Sequence, residues 1–237
     1  MNPLQAIIFD VDGTLAETER DGHRPAFNRA FTECGLNWHW DEVLYGRLLD
    51  ITGGKERIRH FAEHCAPAVA ARPDFDRLVH QVHAAKTAHY VGLVDQGGVA
   101  LRPGVARLID EARQAGIRLA IATTTSAANV DALLRASLGP DAAGWFAVIG
   151  AGDVVPAKKP APDIYLWVLE RLRLPAAACL AIEDSANGLR AALGAGLASV
   201  VTVSEYTAGQ DFAGARRVVP HLGGLSLAEL DQAASGL

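Results

Sequence analysis

The chain has 237 residues, 50% of them hydrophobic and 21% charged, which suits a packed globular core and argues against wholesale disorder. Its 22 Lys+Arg against 27 Asp+Glu leave a net charge of −5, which argues against a nucleic-acid binder that neutralises phosphates over a broad basic face. No apolar run reaches the roughly 20 residues of a membrane span, no basic leader opens the chain, and a cytoplasmic placement is expected. Three widely spaced cysteines, Cys34, Cys65 and Cys179, fit reduced thiols packed as small buried hydrophobes and offer no zinc site.

The first predicted element is a strand, Ala6–Phe9, an unalternating apolar run of the kind that buried parallel strands show. After it, roughly 85 residues carry only helical spacing, far more than an ordinary connection. Phe27, Ala30, Phe31 and Cys34 form one apolar stripe; Ile58, Phe61, Ala62 and Cys65 form a second; Leu78, Val82 and Ala85 begin a third. Pro25 lies inside what should be the first of these helices and is tolerated only in a first turn, so that helix is expected to start late. Residues 66–73, rich in Ala and Pro, read as a loop. From Val105 onward helix and strand alternate: helical stripes at Val105–Ala112, Tyr165–Leu172 and Leu189–Leu193, and strands at Leu119–Ala122, Phe146–Ile149, Cys179–Ile182 and Ser199–Val203. That alternation predicts βαβ units and a parallel sheet with helices on both faces. The expected organisation is an α/β core of residues 1–16 and 97–237, interrupted by an all-helical cap of residues 17–96. Trp38, Trp40, Trp145 and Trp167 are expected to fill core gaps.

The chemistry concentrates where strands end. Ala6–Phe9 runs into Asp10-Val-Asp12-Gly-Thr, two carboxylates two residues apart, and like charges this close call for a cation or for acid–base work. A plain turn is the bland alternative; a calcium loop needs its Gly at the sixth position, and here it is the fourth. Other strand ends offer Thr123 and Thr124, the Lys158-Lys159-Pro160 segment, and Glu183-Asp184. In an open parallel sheet, ligands bind outside the carboxyl ends of the strands. Hard oxygen ligands for a metal, hydroxyl and amide donors, and one ammonium are what phosphoryl transfer requires.

The set Asp10-Val-Asp12-Gly-Thr, Thr123, Lys159 and Glu183-Asp184 resembles, in order and strand placement, the four motifs of the haloacid-dehalogenase superfamily. The presence of Asp12 and Asp184 aligns it with the phosphotransferases of that superfamily rather than its dehalogenases. The longer stretches DVDGTLAETERDGHRPAFNRAF, ITGGKERIRHF, LRPGVARLIDEARQAGIRLAIATTTS, AGDVVPAKKPAPDIY and AIEDSANGLRAA are similar to the CbbY-like branch, whose members dephosphorylate xylulose 1,5-bisphosphate, an inhibitor of rubisco. The resemblance implies a Rossmann-like core with a helical cap, Asp10 as nucleophile, Asp12 as general acid and base, and Mg2+ held by Asp10, the Asp12 carbonyl and Asp184, with Glu183 orienting the metal's waters. It implies Lys159 and Thr123 as partners of the phosphoryl charge, with Thr124, Thr125 and Ser126 beside them. Cap candidates for the sugar and its distal phosphate are Glu17, His23, Gly54, Lys55, Arg57 and Lys86. A monomer acting on a small phosphorylated sugar is expected, with a sugar phosphomutase, a phosphoglycolate phosphatase and a non-catalytic phosphometabolite sensor as the competing readings. His60 and His64, four residues apart on a helix, and His80 with His83 are read as exposed cap residues rather than metal ligands.

Overall fold

The computed structural model describes residues 4–235; residues 1–3, where a leader would begin, lie outside them. Two compact units divide the described chain: Thr18–Val99, and the remainder on either side of it.

The larger unit is built on a six-stranded, all-parallel sheet. Its strands are β1 (Ala6–Phe9), β2 (Arg118–Ala122), β3 (Phe146–Gly150), β4 (Cys179–Glu183), β5 (Ala198–Thr202) and β6 (Arg217–Val219), in the order β3-β2-β1-β4-β5-β6. The first strand of the sequence is thus central, flanked by β2 and β4. Every residue of β1 and β4 is buried, which explains the unbroken apolar runs Ala6–Phe9 and Cys179–Ile182: both faces are covered, and the one polar residue, Glu183, comes at the carboxyl end of β4. Of these six strands, β6 is the one the sequence does not announce. Arg217 and Val218 are exposed on this three-residue strand, and a short edge strand with a charge carries neither alternation nor an apolar run.

Helices α6 (Val105–Gln114), α7 (Ala127–Leu138), α8 (Asp163–Leu172), α9 (Ala186–Gly194) and α10 (Leu227–Ser235) accompany this sheet. On α6 the stripe Val105, Leu108, Ile109 and Ala112 is wholly buried, and each large side chain there contributes about 1.5–3 kcal/mol of burial. Gly104 precedes α6 at φ +88°, and a Cβ there would collide with the backbone of Leu222 and Gly223, so only glycine allows the chain to turn so close to its own C-terminal segment.

The smaller unit is all helical: α1 (Arg24–Glu33), α2 (Glu42–Leu48), α3 (Gly54–Cys65), α4 (Pro67–Ala70) and α5 (Phe75–Asp95). Pro25 sits in the first turn of α1, which continues from a π-helical turn over Glu19–His23, so the proline neither delays nor breaks the helix. The expected loop over 66–73 is a loop only in part, because Pro67 opens the one-turn α4. An aromatic cluster forms the core, with Trp40 4.7 Å from the rings of both Phe27 and Phe31 and 5.4 Å from that of Phe61. Asn28 locks Trp40 at both ends, accepting from its N–H at 2.8 Å and donating to its carbonyl at 2.9 Å. Trp40→Ala is expected to lower stability by about 3–5 kcal/mol, read as an earlier urea midpoint; an unchanged midpoint would place the core of this unit elsewhere. Of the four tryptophans only Trp40 is fully buried. Trp145 and Trp167 are half-exposed plates beneath the guanidinium groups of Arg113 and Arg171, at 3.9 and 3.5 Å, and Trp38 is half-exposed against Phe31 and Phe61. The rings of His60 and His64 lie 4.2 Å apart, with His64 Nδ1 on the His60 carbonyl at 2.8 Å. Among the described residues no helix is long and apolar enough to cross a membrane.

Candidate active site

Parallel registry delivers the site. Phe9 pairs with Ile121 on one side and Ile182 on the other, so the residues that follow, Asp10 from β1 and Glu183 at the end of β4, emerge side by side. The Asp10 N–H donates to the Ile182 carbonyl at 2.9 Å, extending the ladder one residue past β1 and fixing where the carboxylate starts. Gly13 follows at φ +80°, and a Cβ on it would intrude on the Asp184 carboxylate; a side chain is thus excluded where the β1 loop passes the acid of β4. The Arg102 guanidinium donates to the Gly13 carbonyl, to the carbonyls of Thr202, Val203 and Pro220, and pairs with Glu17 at 3.0 Å. It ties the loop after β1 to the end of β5.

The buried Lys159 ammonium lies 2.7 Å from Asp10 Oδ1 and 2.7 Å from Glu183 Oε1. The same Glu183 oxygen accepts from the buried Tyr165 hydroxyl. Lys158, by contrast, turns away to the Gly152 carbonyl and Asp153, at 2.6 and 2.7 Å. Asp184 Oδ2 accepts from Ser204 Oγ at 2.8 Å. Burial pushes the Asp10 carboxyl up to about 7 against the pull of Lys159, with Glu183 and Asp12 adding to the rise. Burial disfavours the charge on Lys159, but the Asp10 and Glu183 carboxylates outweigh it and hold the ammonium more firmly protonated than usual.

These residues fit a divalent cation. Asp10, Glu183 and Asp184 are all buried and each offers a carboxylate oxygen within 4.8 Å of the others. Three carboxylates facing one ammonium leave two negative charges in a desolvated place, and carboxylate oxygen is the donor that a hard cation prefers.

On the neighbouring strand end, the Thr123 N–H donates to the Gly150 carbonyl at 2.9 Å and Thr123 Oγ1 accepts from the Thr125 N–H at 3.3 Å. Asn129 Nδ2 in turn donates to Thr125 Oγ1 at 2.9 Å. Ser126 caps α7 by accepting from the Asn129 N–H, which occupies its hydroxyl oxygen with a helix end. Thr124 is half-buried. Asp12 is half-buried, and its backbone bridges to Ala16.

The remaining candidates lie in the smaller unit. His23 stacks on Tyr90 at 4.2 Å, and the buried Lys86 ammonium lies 5.1 Å over Phe27 and 5.4 Å over Tyr90. Arg57 is buried, donating from Nε to the Leu48 carbonyl and from Nη1 to the Tyr45 hydroxyl, both at 3.0 Å. Two of its donor positions therefore serve the unit itself. Gly54 opens α3, where a Cβ would press on His83 at 2.9 Å, and Lys55 follows it half-buried. The sequence alone does not single out Tyr165, Arg102 or Ser204: Tyr165 falls in the apolar stripe of α8, which its ring does belong to.

A family profile described as haloacid dehalogenase-like hydrolase matches residues 4–196. The chain belongs to the haloacid dehalogenase-like hydrolases. Within this family it is 56% identical over 220 residues to "Protein CbbY, plasmid" of Cupriavidus necator, covering 93% of this chain and 86% of that protein. A crystal structure of CbbY from Rhodobacter sphaeroides in complex with phosphate superposes with a TM-score of 0.89 at 51% identity, over 96% of this chain and 99% of that one. A mutant of the same Rhodobacter protein, crystallised in complex with xylulose-(1,5)bisphosphate, gives a TM-score of 0.89 at 50% identity, over 96% and 99% of the two chains. The haloacid dehalogenase-like hydrolase described here is a CbbY-like phosphatase.

Proposed function

We propose that this phosphatase hydrolyses a sugar bisphosphate, xylulose 1,5-bisphosphate, with Mg2+ at the acid cluster and an aspartyl-phosphate on Asp10 as intermediate. The observation that carries the chemistry is the convergence of Asp10, Lys159, Glu183 and Asp184 from three separate stretches of chain. The substrate rests on the likeness to the Rhodobacter CbbY crystallised with that sugar bisphosphate.

Asp10 and Asp184, with the Asp12 carbonyl, would hold the metal, which when bound supplies positive charge to a phosphoryl oxygen and keeps Asp10 ionised. A carboxylate oxygen of Asp10 attacks phosphorus, its lone pair forming the new P–O bond while the bond to the sugar oxygen breaks. Asp12 gives its proton to that departing alkoxide, then takes one from the water that attacks the aspartyl-phosphate, and inorganic phosphate leaves with the Asp10 carboxylate restored. Lys159 offsets the negative charge shared by Asp10 and the phosphoryl group, and the hydroxyl of Thr123 and the amide of Thr124 donate to phosphoryl oxygens. Glu183 acts as the counter-ion of Lys159. A distal phosphate needs cationic donors of its own, which Lys55 and Lys86 supply, while Glu17 and His23 address sugar hydroxyls.

The deciding assay offers xylulose 1,5-bisphosphate and β-glucose 1-phosphate in parallel and measures inorganic phosphate. Release from the bisphosphate alone supports the proposal. Conversion of β-glucose 1-phosphate to glucose 6-phosphate without net release would make the protein a mutase.

The Asp10 carboxyl, held near 7 by burial, also gives the metal dependence a sign. Below about pH 7 a proton on Asp10 opposes a cation, so the Mg2+ concentration for half-maximal phosphate release should fall close to tenfold per pH unit as pH rises, then level off above 7. A midpoint that stays constant from pH 5.5 to 8 would remove Asp10 from the metal site.

A further inference from the structure

We propose that Tyr165 is a positioning residue for this reaction: its hydroxyl anchors Glu183, and Glu183 holds the Lys159 ammonium in place beside Asp10. The inference rests on the roles given above to Asp10 and Lys159.

The ring of Tyr165 belongs to the core. It lies on α8 in the buried stripe of Ile164, Val168, Leu169 and Leu172, packed in one cluster with Ile8 of β1 and Ala181 of β4. A phenylalanine would fill the same space. The hydroxyl is therefore an added polar atom in an apolar setting, which costs free energy unless it is bonded, and its partner is Glu183 Oε1. Lys159 Nζ sits 2.7 Å from that same oxygen, 2.7 Å from Asp10 Oδ1 and 5.2 Å over the Tyr165 ring. Tyr165 thus meets the lysine twice, as a ring beneath the ammonium and as the second donor to its counter-ion.

The other oxygen of Glu183 offers no alternative anchor. Oε2 is buried with no hydrogen-bond partner among the described residues, and the wall beside it is Gly188, where a Cβ would run into the carboxylate. Among the described residues, all of the hydrogen bonding of the Glu183 carboxylate passes through Oε1, from two donors. With the phenol gone, Lys159 alone satisfies that oxygen and is drawn toward Glu183, away from the Asp10 oxygen whose charge it must offset in the transition state. The consequence belongs to the chemical step rather than to substrate capture, so kcat should move and KM should not.

Tyr165→Phe, assayed as the Mg2+-loaded full chain on xylulose 1,5-bisphosphate, is expected to lower kcat about tenfold or more with KM within about twofold. Calorimetric binding of orthovanadate, a mimic of the five-coordinate phosphoryl group, should weaken in parallel. Glu183→Gln keeps the Oε1 acceptor and removes the charge, and the double variant should be no slower than Glu183→Gln alone, because Tyr165 acts only through Glu183. Wild-type kcat and vanadate affinity in Tyr165→Phe, or additive losses in the double variant, would overturn the proposal. A large drop in melting temperature with kcat per folded molecule unchanged would overturn it as well, by making the hydroxyl a structural bond. Lys159→Ala in the same series separates the two levels: hydrolysis that survives it defeats the reading of the site, whereas its loss beside a wild-type Tyr165→Phe defeats only the positioning role.

Discussion

Asp10→Asn should reduce phosphate release from xylulose 1,5-bisphosphate by about a thousandfold or more while leaving the fold intact. The amide has the shape of the carboxylate but neither its charge nor a free lone pair of comparable nucleophilicity, so the P–O bond to the enzyme cannot form. The fold should survive because the contribution of Asp10 to the sheet is its backbone bond to Ile182, which the substitution keeps. The variant removes a carboxyl that burial holds near 7. A group whose folded-state affinity for protons is raised above its ordinary value weakens the metal-free fold as pH rises from about 4 toward 7. Without Mg2+ the Asn variant should therefore melt at or above the wild-type temperature at pH 8. Turnover within tenfold of wild type would exclude Asp10 as nucleophile, and a lower melting temperature at pH 8 would contradict the electrostatic account.

Lys159→Ala is the second large effect, and it should damage both rate and stability. Its ammonium bonds Asp10 and Glu183 at 2.7 Å each, and all three groups are buried. Breaking a buried pair by removing one partner leaves an uncompensated charge, a cost of about 3–5 kcal/mol. The rate should fall by about a hundredfold or more, since the phosphoryl charge loses its ammonium. Saturating Mg2+ should restore part of the melting temperature, because a divalent cation relieves the same excess of carboxylates, but not the rate. A variant as stable as wild type without metal would show that the cluster holds fewer ionised carboxylates than its geometry implies.

The legibility of this chain follows burial. The apolar runs of β1 and β4 were plain in the sequence because strands buried on both faces are mostly apolar, and α6, α8 and α9 because a single buried stripe repeats every three to four residues, whereas α7 and α10 were not seen. Strand β6 was hidden by the exposed Arg217 and Val218, and α4 by being a single turn opened by a proline. At the site, the strand-end acids stood out because charge at the end of an apolar run is conspicuous. Tyr165 did not, since its ring obeys the apolar stripe and only its terminal oxygen departs from it. Arg102 and Ser204 act on carbonyls and a carboxylate up to 118 residues away in sequence, a distance over which local patterns carry no signal. Arg57 was read as a ligand donor from its place at the start of a cap helix, and its bonds to Leu48 and Tyr45 depend on packing that no local pattern encodes.

The most direct test is a single-turnover reaction with xylulose 1,5-bisphosphate and Mg2+, quenched in acid within milliseconds and mapped by peptide mass spectrometry. A phosphoryl group on the peptide containing Asp10, appearing before inorganic phosphate and absent from Asp10→Asn, is the predicted result. Phosphate released at full rate with no labelled peptide at any quench time would mean that water attacks the substrate directly, and the role given to Asp10 would be wrong.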